Sequence, residues 1–409
     1  MNAPVSPPPT LMSERRVGLI GALMVSVGPV SMALYTPAMP EIVHAFGSTE
    51  AAVKLSLSLY FAGFALSQLV CGPLSDGFGR KPVVLGFMTI YLIASLVALV
   101  APSVEILIAA RFFQGVGSAV GVAISRALIR DLFHDDRAAR IMNLQAIVLA
   151  VGPAFSPTIG GLIMIAAGWH AIFLAMVALG VVVVLVVQFG LRETVLRDTS
   201  RIRPAALAKS YATLFGSPYF VLCGLVITGT VGSLYTLATV LPFLLMDRVG
   251  LTATEFGLGM LLQSGSFFAG SLVVRRFLQI MPAPRLVPFG LSCVAVACVL
   301  LAVLLRVAPP SVLSIMGPVG LFAFGIAFIM PAMMVASIAP FPHIAGAASS
   351  ISGFMQMGGG LVGGTAAALI GEPVTAAATV IPVMGFTAIL SWLIWRLLPE
   401  PRSIPHIPD

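Results

Sequence analysis

The feature that most constrains this chain is a series of long stretches that contain no Asp, Glu, Lys or Arg. They cover residues 17–40, 55–75, 82–104, 112–125, 141–191, 210–246, 256–274, 286–305, 307–371 and 373–395. Only 9% of the 409 residues are charged and 59% are hydrophobic, against about 25% and 45–50% in soluble domains. Because so few charges cannot cover a soluble surface, the pattern predicts an all-α polytopic membrane protein that is not an enzyme.

The lengths of these stretches predict the number of membrane-spanning helices. One span needs about 20 mainly apolar residues, so 141–191 and 307–371 are each long enough for two spans. Breaks are expected at Gly168–His170 and at Pro340–His343. Twelve transmembrane helices are predicted, with cores at 17–37, 55–74, 83–101, 106–130, 141–165, 169–190, 218–243, 256–274, 286–305, 312–337, 344–368 and 374–396.

The basic residues predict the orientation of these helices. If the N-terminus is cytoplasmic, 17 of the 22 Lys and Arg residues lie in or beside cytoplasmic segments. Only Lys54, Arg248 and Arg306 then lie outside, while Arg111 and Arg126 lie inside the fourth span. This bias follows the positive-inside rule and places both termini in the cytoplasm. It also explains the net charge of +7 without a nucleic-acid partner.

The longest polar stretch, residues 192–217, divides the predicted helices into two sets of six. We therefore expect an N-terminal bundle at 17–191 and a C-terminal bundle at 218–398, with cytoplasmic tails at 1–16 and 399–409. Such a layout is typical of transporters built from two related bundles. The chain has no phosphate-binding P-loop pattern and no Cys or His with metal-ligand spacing, so we expect no metal and no cofactor.

Span 4 contains the most informative residue, Arg111. An Arg in the middle of a bilayer costs at least about 2.5–3.5 kcal/mol, so we expect it to face a bundle interior or water. Gln114 lies three residues further on, on the same helix face. The alternative is that Arg111 extends to the outer membrane interface.

Two further segments have compositions that suit conformational change. In the loop of residues 72–82, Gly79 permits a tight turn, and Asp76 lies four residues before Arg80, so the two side chains can pair. The alternative is a solvated turn.

The second segment is in span 5 and is rich in Gly and Pro, which lets a helix bend and approach its neighbours closely. Its residues are Gly152, Pro153, Pro157, Gly160 and Gly161. The alternative here is a packing kink.

These segments resemble the motifs of one family, the major facilitator superfamily. The 72–82 loop resembles its signature GxLaDrxGrkxxl, and Arg111–Ala119 is similar to its RxxQGxGaA pattern. Arg126–Phe133 resembles the RaivRDlf run of the Bcr/CflA branch of bacterial drug-resistance transporters. Gly152–Gly161 resembles the antiporter motif ending in GPxxGG, with Ser156 in place of a Gly.

The resemblance implies a function. It implies a monomeric exporter of small drug-like molecules in the lipid bilayer of the bacterial inner membrane, working by alternating access with protons as the coupled ion. It also implies a cytoplasmic gate at Asp76, Gly79 and Arg80, which we expect Arg130 and Asp131 to contact.

One departure from the branch bears on proton coupling. The branch has an acidic residue in span 1, at the position of Ala33 here, and all fifteen acidic residues lie near or beyond span ends. Glu41 is one candidate for the coupling group. A histidine is another, among His44, His170 and His343. The third possibility is that coupling is weak or absent, and it leaves open an uncoupled facilitator or importer of a small metabolite.

Several polar and soft side chains are expected to line the substrate cavity with Arg111, where neutral or anionic substrates would fit best. Each could instead be a packing residue. They are Tyr60, Gln68, Tyr235, Gln263, Met333, Met334 and Gln356.

Overall fold

A computed structural model describes residues 12–399 of the chain, except 134, 196, 200, 201 and 203. In this part of the chain the structure consists of helices joined by short loops, with no strand. The α-helices are α1 Glu14–Tyr35, α2 Met39–Ala45, α3 Glu50–Phe78, α4 Arg80–Leu99, α5 Val104–Ser118, α6 Val120–Leu132, α7 Asp135–Gly190, α8 Pro204–Phe215, α9 Pro218–Pro242, α10 Ala253–Phe277, α11 Val287–Val307, α12 Val312–Ile338, α13 Ala345–Ile370 and α14 Pro373–Trp395.

Eleven spans in the described residues are long and apolar enough to cross a membrane. Most are single helices, but α1 and α2 combine in Glu14–Ala45, and α5 and α6 combine in Val104–Leu132. The observed helices extend beyond the predicted cores, as Glu50–Phe78 does beyond 55–74, because their ends carry polar residues. Large apolar side chains are exposed on nearly every span, which is the surface that lipid requires.

The longest span, Arg140–Gly190, has 51 residues. At a rise of about 1.5 Å per residue it is more than twice as long as the hydrocarbon core of a bilayer. Its helix is interrupted at Gly168, where φ is 73° and ψ is 179°. Only glycine adopts this conformation readily, and it falls where the sequence analysis expects a break. The second expected break, near Pro340, separates α12 from α13.

The buried apolar side chains form two main clusters. One is drawn almost entirely from residues 12–191 and the other from residues 219–381. We call these two parts of the protein the N-terminal and C-terminal halves. The exact bounds expected for the bundles and tails remain predictions.

The polar stretch 192–217 contains a helix, α8, which the sequence analysis did not anticipate. The Tyr211 hydroxyl donates a hydrogen bond to the Leu69 carbonyl of the N-terminal half at 2.6 Å. Leu214 is buried with Phe220 and Phe341 of the C-terminal half. The linker helix therefore contacts both halves.

Candidate functional site

Arg111 lies in an enclosed aromatic site, which we call the arginine cage and which consists of Tyr35, Tyr60 and Gln114 around the Arg111 guanidinium. Arg111 is 0% exposed. Its guanidinium carbon lies 4.3 Å from the Tyr35 ring centroid and 4.4 Å from that of Tyr60. Its Nη1 donates a hydrogen bond to Gln114 Oε1 at 2.7 Å. Stacking between two rings partly offsets the cost of burying a cation.

The charge of Arg111 is not balanced by the side chains around it. Its Nε and Nη2 have no hydrogen-bond partner, and no salt bridge to it is found among the described residues. The hydroxyls of the nearby tyrosines are occupied by neutral groups. Tyr35 bonds Ser56 at 2.7 Å, and Tyr60 donates to the Gly28 carbonyl at 2.9 Å. The cage therefore holds an unpaired buried cation, which is an energetically costly arrangement.

The cage lies inside the N-terminal half and not between the halves. The groups that contact Arg111 and Gln114 come from α1, α3, α4, α5 and α7, with Met176 Sδ 3.9 Å from Arg111 Nη1 and Ser95 Oγ 2.8 Å from Gln114 Nε2. This agrees with the expectation that Arg111 faces a bundle interior or water, and it places Arg111 away from the contact between the halves where a substrate cavity is expected. The guanidinium lies over the rings of both Tyr35 and Tyr60, and Arg111 has no exposed surface.

The structure places the remaining residues expected at the cavity in different parts of the protein. Tyr235 and Gln356 meet at the contact between the halves, where Gln356 Nε2 donates to the Tyr235 hydroxyl at 3.2 Å. The Tyr235 ring packs on Phe61 of the other half, with centroids 5.2 Å apart. Tyr60 is part of the arginine cage, and Gln263 on α10 has a buried Oε1 that has no hydrogen-bond partner among the described residues.

Glu41 lines an open cavity at one end of the molecule. We call this the outer end, and we call the opposite end, which carries Arg80 and Glu193, the inner end. The cavity has a volume of about 310 Å³. It is lined by Pro40, Glu41, His44, Met164, Ile165, Met246, Asp247, Leu251 and Ala253, which come from both halves.

The loop expected to form a gate joins helices of the same half. Gly79, with φ of 101°, separates α3 from α4. The Arg80 guanidinium pairs with Asp76 at 2.6 Å and with Asp131 at 3.0 Å. The Glu193 carboxylate accepts hydrogen bonds from the backbone N–H of Arg80, at 2.9 Å, and of Lys81.

None of these contacts reaches the C-terminal half. Arg130 is exposed, and no ion pair or hydrogen bond of its side chain is found in the described part of the chain. Of the two residues expected to contact the loop, Asp131 pairs with Arg80, and the contact expected of Arg130 remains a prediction. The structure assigns Arg80 the role of connecting α3 and α6.

Replacing Arg80 by Met should lower the stability of the protein by about 1–3 kcal/mol, because two carboxylates lose a nearly buried partner. Asp76 is 43% exposed, which limits the loss. Thermal unfolding of the purified protein measures this. The Lys81→Met variant is the control, since Lys81 is more exposed and its Nζ has a single partner among the described residues, the Gln188 carbonyl. Equal losses in the two variants would contradict the role of Arg80 in connecting α3 and α6.

The Gly- and Pro-rich segment of α7 forms a contact between the halves near the outer end. A side chain at Gly161 would meet the Ala253 backbone, and one at Gly160 would meet the Leu34 carbonyl. The Thr158 hydroxyl donates to the Gly257 carbonyl at 2.9 Å. Gly152, Pro153 and Pro157 lie within the same continuous helix. Small residues here let α7 and α10 approach closely.

The sequence analysis missed a second contact between the halves, which we call the outer ion cluster: Glu50, Lys54, Arg248, Glu372 and the Gly371 carbonyl. Lys54 is 0% exposed. Its Nζ contacts Glu50 at 3.0 Å and the Gly371 carbonyl of the other half at 2.8 Å. Arg248 lies 3.7 Å from Glu50 and 3.5 Å from Glu372. The spacing of Glu50 and Lys54 was the only available signal, because Gly371 lies 317 positions away.

Comparison with known proteins identifies the family of this chain. A family profile described as Major Facilitator Superfamily matches residues 21–364. "Multidrug resistance protein D" of Escherichia coli (strain K12) is 30% identical over 388 residues, covering 93% of this chain and 96% of that protein. "Multidrug resistance protein MdtL" of Klebsiella pneumoniae (strain 342) is 28% identical over 387 residues, covering 93% and 94%.

The fold is also found among solved structures. The crystal structure of a D-xylose-proton symporter has a TM-score of 0.74 at 13% identity, covering 95% of this chain and 99% of that chain. At this identity the likeness concerns the fold alone. The family profile and the relatives both span most of the chain, and the chain therefore belongs to the Major Facilitator Superfamily.

Proposed function

We propose that this transporter exports small drug-like molecules across the bacterial inner membrane by alternating access, coupled to proton entry. Two relatives with 28–30% identity over almost the whole chain are named multidrug resistance proteins. The motif resemblance supports membership of the Bcr/CflA branch as part of this proposal. The transporter then works as a monomer in the bilayer, with the proton gradient as energy source and no cofactor.

The proposed topology has twelve crossings, with the break at Gly168 dividing Arg140–Gly190 into two. The inner end then faces the cytoplasm, together with both termini. The positive charges support this orientation, because Arg80, Arg137 and Arg140 lie at the inner end.

The observation that supports alternating access is that the packing of one face of α13 against α3 changes along its length. Towards the outer end this face packs on α3: a side chain at Gly364 would meet Ser58, and one at Gly360 would meet Phe61. Gly353, further in, lies against Gln68. At the inner end of the same face, a side chain at Gly346 would meet no atom within 4 Å. This face of α13 is thus packed on α3 towards the outer end and has open space beside Gly346 at the inner end, which is the asymmetry that we expect of one of the two states that such a transporter needs.

Proton coupling, if it follows this proposal, uses side chains outside the arginine cage. The arginine cage holds no carboxylate among the described residues, and Ala33 stands where the branch has an acid. Glu41 and His44 line the outer cavity and are the coupling groups that we propose. The second candidate function, an uncoupled facilitator or importer of a small metabolite, follows from the same missing acid.

A drug-susceptibility panel on cells that express the chain tests the export function, with and without an uncoupler of the proton gradient. We expect raised resistance to at least one compound, and we expect the uncoupler to restore accumulation of that compound to the level of cells with empty vector. Export that persists in the presence of the uncoupler would favour the facilitator. The absence of any protected compound would contradict drug export.

A further inference from the structure

One cation between the halves has no role in the site described above. Arg126 lies on α6, seven residues before Phe133, which caps the end of that helix. It is exposed, although Ser125 and Ala127 beside it are buried. Its Nη1 donates to Ser349 Oγ of the C-terminal half at 3.4 Å. Because this side chain reaches the opposite half, its guanidinium lies between the two halves.

This space lacks a counter-charge for Arg126 in the described residues. Two acidic groups at the inner end already have partners: Asp131 pairs with Arg80 at 3.0 Å, and Glu14 pairs with Arg140 at 3.1 Å. In the part of the chain that the structure describes, the Arg126 side chain has one hydrogen-bond partner, the Ser349 hydroxyl. A guanidinium presents five N–H donors in a planar fork that matches a carboxylate, so most of its donors can bind a ligand.

The surroundings of Ser349 favour an anion as well. Ser349 lies near the N-terminal end of α13, which begins at Ala345. The N-terminus of a helix carries a partial positive charge. The nearby position of Gly346 is open, because a side chain there would have no atom within 4 Å. Arg126, the Ser349 hydroxyl and the positive end of α13 therefore lie together, near the open position of Gly346.

We propose that Arg126 and Ser349 bind the carboxylate of an organic anion that enters between the halves from the inner end. This inference rests on the proposed export function and narrows its substrate class. It also moves the anion site from Arg111, which is enclosed, to Arg126, which is open. Arg126 pairs with the carboxylate through two parallel hydrogen bonds, and Ser349 donates a third.

Direct binding tests this without requiring transport. The purified protein is placed in phosphatidylcholine nanodiscs, and binding of fluorescein, which carries a carboxylate, is followed by fluorescence anisotropy. Rhodamine 123, a cation with a similar ring system, is the comparison dye. We expect wild type to bind fluorescein in preference to rhodamine 123. Arg126→Gln should weaken fluorescein binding about tenfold or more, and Ser349→Ala about two- to tenfold.

The controls separate a binding role from a structural one. Arg276→Gln removes the same charge from an exposed Arg on α10 and should leave fluorescein binding unchanged. Arg126→Lys should restore part of the affinity, because it keeps the charge and loses the fork. Equal binding by wild type and Arg126→Gln, or no saturable fluorescein binding by wild type, would overturn the proposal.

A lipid headgroup is the other source of an anion for this site. If nanodiscs that contain phosphatidylglycerol abolish fluorescein binding to wild type, the site belongs to lipid and the proposal of a solute site is wrong. Binding retained in both lipids supports the solute. Because none of these measurements involves export, failure of the anion site is distinguishable from failure of drug export, which the susceptibility panel reports.

Discussion

Replacing Arg111 by Met should abolish drug export while leaving the protein as stable as wild type or more so. The guanidinium is fully buried, and two of its nitrogens have no partner. Exchange of a buried charge for an apolar side chain of similar length is commonly neutral or stabilising by about 1–4 kcal/mol. Because Arg111 lowers the stability of this conformation, we expect it to act in a different conformation of the protein. Thermal unfolding and efflux from intact cells measure the two effects.

Arg306→Met is the control, because Arg306 lies near the end of α11 and its guanidinium has hydrogen-bond partners. It donates to the Ala302 and Ala378 carbonyls at 2.9 and 3.0 Å and to Thr379 Oγ at 3.0 Å. We expect this variant to unfold at a lower temperature than wild type and to retain export. If Arg111→Met instead loses stability and keeps export, the arginine cage is a structural element and our assignment of it is wrong.

Replacing Lys54 by Met should shift the protein towards a state that is open at the outer end. Lys54 supplies a buried, charge-assisted contact between the halves, at 2.8 Å from the Gly371 carbonyl. Such a bond contributes about 1.5–3 kcal/mol, so its loss should raise the population of the open state about tenfold or more. The reporter is Ser58→Cys, because Ser58 is buried against Gly364 at the contact.

The labelling experiment uses a chain whose four native cysteines are replaced by alanine. A membrane-impermeant maleimide should react with Ser58→Cys at least about tenfold faster when Lys54 is also replaced by Met. The Arg248→Gln variant is the control: Arg248 is 41% exposed and its two ion pairs are longer, at 3.7 and 3.5 Å, so it should change labelling little. Equal acceleration by both variants would show that general loosening, not the Lys54 contact, exposes Ser58.

The sequence located the motifs but did not identify all of the residues that they contact. The pairing of Asp76 with Arg80 followed from their spacing, and the structure contains that pair. Their further partners, Asp131 and Glu193, were beyond the reach of spacing because they lie in other segments of the chain. The Gly- and Pro-rich segment was identified as a place of close approach, but the helix that it approaches, α10, was known only from the structure.

For Arg111, too, the sequence predicted some features and the structure supplied the others. Its burial followed from its place in an apolar helix, because an Arg cannot face lipid at low cost. Its neighbour Gln114 followed from helix periodicity. The two tyrosine rings that enclose it come from α1 and α3, and only their packing decides that Arg111 lies inside one half and not in a passage.

The sequence alone determined that this chain is a helical membrane protein with two sets of spans, because charge-free stretches of sufficient length have no other stable environment than lipid. It also determined the breaks near Gly168 and Pro340 and the family motifs. Only the tertiary structure decided which faces of α3 and α13 pack together, that Lys54 and Arg126 both reach the opposite half, and that Arg111 is enclosed within one half. Contacts such as that of Lys54 with Gly371 form between segments far apart in the chain. The hydropathy of one helix does not determine which other helix packs against each of its faces.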